Sequence, residues 1–106
     1  MLDSNFYLVF GGWFIVDDID LSNSEEVEDN ARTCAVDLIN KLYDPGKLIA
    51  DLTEVLDKWE PETIRKFIRA SNIDWKYDKK TEDILRDVIN IMIDELKAQP
   101  GRQIES

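Results

Sequence analysis

Residues 4–20 read Ser4-Asn5-Phe6-Tyr7-Leu8-Val9-Phe10-Gly11-Gly12-Trp13-Phe14-Ile15-Val16-Asp17-Asp18-Ile19-Asp20, and the fold class turns on them. Ser4 to Phe10 is rich in aromatic and aliphatic strand formers. Gly11-Gly12 offers positive φ at both corners of a tight primed turn, after which Trp13 to Asp20 runs back. The end of that second arm alternates, with Val16, Asp18 and Asp20 on one side and Asp17, Ile19 and Leu21 on the other. The stretch therefore predicts a β-hairpin. A short buried helix is the competing reading, weakened by two adjacent glycines. An isolated hairpin is marginal in water, so this one has to pack on helices or on a third strand.

Working outward, the remainder reads as four helices. In 24–43, Val27, Ala31, Cys34, Ala35, Leu38 and Leu42 form one apolar stripe, and Ser22 with Glu25 is spaced as a capping box. Asp44-Pro45-Gly46 ends that helix and starts the next, 45–59, with Leu48, Ile49, Leu52, Val55, Leu56 and Trp59 inside. Pro61 opens a third over 61–71, facing inward with Ile64, Phe67 and Ile68, and Asn72 suits a left-handed stop. Ile73 to Tyr77 alternates, as a short third strand or an extended connector does. The last helix, 80–98, carries a wide apolar face from Ile84 to Leu96 and should be central. The expected architecture is α+β and mainly helical: an N-terminal hairpin on a compact four-helix array, with 73–77 as the option for a third strand. Residues 1–98 form one domain and 99–106 a flexible tail.

The composition excludes more than it names. The chain has 106 residues, no His and one Cys, with 23 acids against 13 bases for a net charge of -10. Without His there is no Ser-His-Asp triad or Cys-His pair. One Cys builds neither a zinc site nor an internal disulfide. The apolar run 6–16 is too short to span a membrane, and Asp3 without Lys or Arg before it is wrong for a leader. These points predict a cytoplasmic, non-catalytic protein that needs no cofactor. Direct contact with nucleic acid or membrane is not expected.

The charge is unevenly placed. Asp17, Asp18, Asp20, Glu25, Glu26, Glu28 and Asp29 put seven carboxylates in thirteen residues with no base among them. Such a stretch is either a solvated face with helix-start acids or a docking surface for a cationic partner. Asp18 to Asp29 also has alternating oxygen side chains like a calcium loop, but Asn23 stands where Gly is expected and Asp29 where a bidentate Glu belongs. Bases gather instead in 62–80, at Arg65, Lys66, Arg69, Lys76, Lys79 and Lys80, beside Trp75 and Tyr77. That pattern resembles a single-strand platform, which the global field opposes. Tyr7, Trp13 and Phe14 are candidate interface anchors next to the acids. Cys34 falls on an apolar stripe and reads as a buried structural thiol.

In size, acidity and helical content the chain resembles the colicin and contact-dependent-inhibition immunity proteins, a likeness of class that carries no residue over. It implies a small acidic inhibitor, an immunity protein or antitoxin, that neutralises a basic nuclease-type toxin. Two alternatives are a phage-type nucleic-acid mimic that blocks a host defence enzyme, and a non-catalytic helical subunit that forms a homodimer through the last helix within a larger complex.

Overall fold

Ser4–Phe14 is a helix, α1, and not the first arm of a hairpin. The computed structural model describes residues 2–14, 20–41, 43–73 and 75–98. Over these the chain is all-α: α1 is followed by α2 (Ser24–Asn40), α3 (Pro45–Asp57), α4 (Pro61–Ser71) and α5 (Lys79–Lys97). The α+β expectation is thereby corrected. Neither a hairpin nor a strand at 73–77 occurs among the described residues. Residues 15–19, the expected return arm, and the expected tail 99–106 lie outside them.

The reason lies in the spacing of three phenylalanines. Phe6, Phe10 and Phe14 are four residues apart, so a helix stacks them on one face, and all three are fully buried. The Phe6 and Phe10 rings lie 6.0 Å apart and the Phe10 and Phe14 rings 4.7 Å apart. Phe67 of α4 meets Phe10 edge-on at 5.0 Å. A hairpin turning at Gly11-Gly12 would have paired Phe10 with Trp13, sent Phe14 to the opposite face and split this column. Asp3 caps the helix, accepting the Phe6 N–H at 2.8 Å. At the far end, Asn30 Nδ2 donates to the Trp13 carbonyl and the Trp75 indole N–H to the Phe14 carbonyl, each at 2.8 Å. These side chains satisfy carbonyls that a helix end leaves orphaned.

Gly11 is used for close approach, and no glycine among the described residues has positive φ. A Cβ at Gly11 would overlap the backbone carbonyl oxygen of Ser71, whereas one at Gly12 would meet nothing within 4 Å. Helix α1 thus rests directly on the last turn of α4. Ser71 is buried there, its hydroxyl donating to the Phe67 carbonyl at 2.8 Å.

The other four helices follow their caps and stripes. In α2 the cap sits one residue later than the Ser22–Glu25 spacing suggests: Asn23 accepts the Glu26 N–H at 3.2 Å. Asp44 caps α3 with Pro45 in the first turn, and Asn72 ends α4 in the left-handed conformation at φ 56°. Asp78 and Thr81 cap α5 reciprocally, with both bonds at 2.9 Å. Helix α5 packs on α2 and α3, and α1 on α2 and α4. On α5, Leu85, Val88, Ile89 and Met92 are fully buried, so it is the central helix that its apolar face predicts. On α2, Ile39 joins the buried stripe, while Leu42 lies outside the described residues.

Two stability measurements check this packing. Leu85→Ala or Ile89→Ala should each cost about 2–5 kcal/mol in urea unfolding, the range for emptying a sealed core position. A loss below about 1 kcal/mol would mean that the face is not core. The two glycines should respond with opposite signs. Gly12→Ala gains up to about 1 kcal/mol of helix propensity. Gly11→Ala forfeits more than that gain, because overpacking costs about 1–3 kcal/mol and a backbone carbonyl is not free to swing aside. Equal effects at the two positions would reject the close α1–α4 contact.

Candidate functional site

The acids of the N-terminal third divide into those knitted into the fold and those left to solvent. Asp20 accepts the Ser22 hydroxyl at 2.6 Å and the Ser22 N–H at 3.0 Å. These bonds, the hydroxyl foremost, hold its carboxyl below the usual range, with the Lys80 charge adding to them. Half-buried Glu26 accepts the Asp20 N–H at 3.2 Å. Glu25, Glu28 and Asp29 are exposed on the first turns of α2. Glu28 Oε2 takes Arg32 Nη2 at 2.9 Å, and Arg32 Nη1 reaches Glu95 of α5 at 3.2 Å. Arg32 thereby staples α2 to α5. Asp17 and Asp18 lie outside the described residues.

The aromatic anchors expected beside these acids belong to the fold. Phe14 is sealed between Phe10 and Trp75 and leaves no surface for a partner. Tyr7 is half-buried, edge-on to Phe67 at 5.4 Å. Half-buried Trp13 donates its indole N–H to Asp37 at 3.2 Å. That bond is the first cause of the lowered Asp37 pKa, ahead of the bond to Lys41.

What does lie beside the acids is a groove of about 530 Å³ between the start of α2 and one face of α5. Its floor is Leu21, Val27, Ile84 and Ile91, and all but Val27 are half-buried. Its rim carries Glu28, Asp83, Asp87 and Asp94 against a single base, Lys80. Asp83 pairs with Lys79 at 3.4 Å, but no ion pair among the described residues engages Asp87 or Asp94. The groove thus joins exposed carboxylates to half-buried aliphatic side chains.

The other chemistries weighed on the sequence fare differently. Cys34 is sealed on α2, and burial first, with the Asp37 charge second, pushes its thiol pKa up. Within the calcium-like stretch, Asn23 caps a helix and Asp20 is bound to Ser22. No group of three or more His, Cys, Asp or Glu side chains that could hold a metal ion occurs among the described residues. The basic stretch lacks the stacking platform, since Trp75 is buried and Arg65 covers the Tyr77 ring at 4.9 Å. No described helix is long and apolar enough to cross a membrane. Protein-family models, curated proteins and solved structures yield no match to the chain.

Of the groove, the sequence reading found Glu28 but not the α5 wall. Asp83, Asp87 and Asp94 look like an ordinary wet helix face until α2 is seen beside it. One signal was present: Ile84 and Ile91 are seven residues apart and fall outside the stripe that α5 buries most deeply.

Asp83 and Asp87 are like charges one turn apart. Asp87→Asn should therefore raise stability by about 0.2–0.5 kcal/mol, and the gain should vanish in 1 M salt, where the screening length is roughly 3 Å. Urea midpoints at low and high salt check this, and a destabilised variant would show that Asp87 has a partner within the chain.

Proposed function

We propose that the chain is a small acidic binding protein that neutralises a cationic partner, most concretely an immunity protein or antitoxin acting on a nuclease-type toxin. The observation that supports this reading is the meeting, in one groove, of Asp87 and Asp94, which form no ion pair among the described residues, with the aliphatic floor of Leu21, Ile84 and Ile91. A nuclease cleft is built to attract phosphate, so an acidic surface is drawn to it from a distance and accelerates encounter. Carboxylates alone would give steering without residence. Desolvated aliphatic contacts at the centre of an interface supply the slow dissociation. Glu25 and Asp29, exposed on the first turns of α2, act in steering.

The nucleic-acid mimic fits less well. Imitating a phosphate backbone calls for carboxylates along an extended polar face, whereas these flank an apolar cleft.

The test starts from complexes recovered at low salt from the producing cell. The expected partner is a basic nuclease whose activity falls in proportion to added chain. Reversing Glu25, Glu28, Asp29 and Asp87 to Lys should slow its association by about 10–100-fold and flatten the salt dependence of the rate. A nucleic-acid-binding defence enzyme as the target would favour mimicry. An association rate untouched by the reversals would reject the docking reading.

A further inference from the structure

We infer that the groove receives an amphipathic, cationic α-helix of the partner, lying antiparallel to α5. This rests on the docking reading of the same groove and specifies its occupant. Register points to a helix. The α5 wall of the groove includes Lys80, Ile84, Asp87, Ile91 and Asp94, a spacing of four, three, four and three. That alternation is the seam one helix presents to another crossing it at a shallow angle. It lies beside the α5 stripe of Leu85, Ile89, Met92 and Leu96, which is already buried. Helix α5 thus has two seams, one filled by the core and one open.

Pitch points the same way. Ile84 and Ile91 are about 10.5 Å apart along the axis, the rise of seven helical residues. A helix with two aliphatic side chains one heptad apart matches that interval. An extended segment repeats on one face about every 6.6–6.8 Å and meets it poorly. An extended partner also needs a sheet edge to pair with, and both groove walls come largely from helices whose backbone groups are satisfied internally.

Charge sets the composition and direction. Four carboxylates and one ammonium line the groove, and Asp87 and Asp94 have no ion pair among the described residues, so Lys or Arg flanks the aliphatic positions of the occupant. One end carries Asp94, beside Glu95, to which Arg32 ties Glu28. The other end holds Lys80 within electrostatic reach of Asp20, beside the N-termini of both α2 and α5. Helix N-termini are positive and C-termini negative. The occupant therefore places its N-terminus toward Asp94 and its C-terminus toward Lys80.

The probe is a synthetic peptide of about 16 residues, the length that spans Lys80 to Asp94 as a helix. It carries leucines one heptad apart among lysines and glutamines, with a composition-matched scrambled peptide as control. The patterned peptide should become helical on binding and perturb the amide resonances of Leu21, Ile84 and Ile91. It should bind about tenfold or more tightly than the scrambled one, since only it fills the floor. Ile84→Ser combined with Ile91→Ser should remove that preference, with an unchanged circular dichroism spectrum confirming the fold. A spin label at the peptide N-terminus should broaden resonances near Asp94 rather than Lys80. Equal binding of both peptides, perturbation outside the groove, the reverse label pattern, or no binding of either peptide would each overturn the inference. If the partner's association is nonetheless slowed by the charge reversals, the docking reading stands and the helical occupant alone is rejected.

Discussion

Helix α5 has to satisfy two requirements with one cylinder, and the rest of the molecule is arranged around that. Its inner residues Leu85, Val88, Ile89 and Met92 are removed from water by α2 and α3. Each such burial contributes on the order of 1.5–3 kcal/mol, which makes this contact the fold's main source of stability. Because α2 leans on α5 along its length and Arg32 ties the two together, the acids at the start of α2 are carried to the edge of α5. The groove follows from that packing and is not a separate feature. Anything that shifts α2 on α5 would open or close it.

Legibility in the sequence tracks how directly a residue pattern constrains one local geometry. The four later helices were readable because their ends are chemically marked: Asp44-Pro45 at one start, Asn72 at one stop, and an apolar stripe of period 3.6 between. The first helix was not. Phe6 to Phe10 is nearly all apolar, so it has no polar–apolar contrast from which a period can be taken. Gly11-Gly12 then weighed toward a turn, because glycine's freedom of φ is its commonest use. Here the missing Cβ mattered instead, and what makes it necessary is Ser71, sixty residues away. No local rule sees that contact. The usable clue was that the four-residue spacing of Phe6, Phe10 and Phe14 continues across Gly11-Gly12, where a turn would break it.

The site shows the same division. The acids of α2 stood out because they are contiguous in sequence. The groove did not, because its two walls are some sixty residues apart and each alone looks ordinary. Among the aromatics, most were expected in the core and one or two at an interface; of the three candidate anchors Phe14 is sealed, while Tyr7 and Trp13 are half-buried. Trp75 even serves two ends, edge-on to Phe14 and donating to its carbonyl.

The distribution of bases sharpens the functional reading. The chain has cations enough to relieve the groove, but Arg65, Lys66 and Arg69 are placed on α4, and Lys79 meets Asp83 at the outer edge. Asp87 and Asp94 are exposed with no ion pair among the described residues, and Ile84 and Ile91 keep part of their apolar surface in water. Each feature alone costs folding free energy, one through like charges and the other through exposed hydrocarbon. Both costs are relieved together by a ligand that brings cations and aliphatic groups in the same stroke. A solvated acidic face would need no apolar floor beneath it, and a purely apolar contact would need no unpaired acids around it. Their coincidence along one face of α5 is what supports the proposal of a cationic, amphipathic occupant.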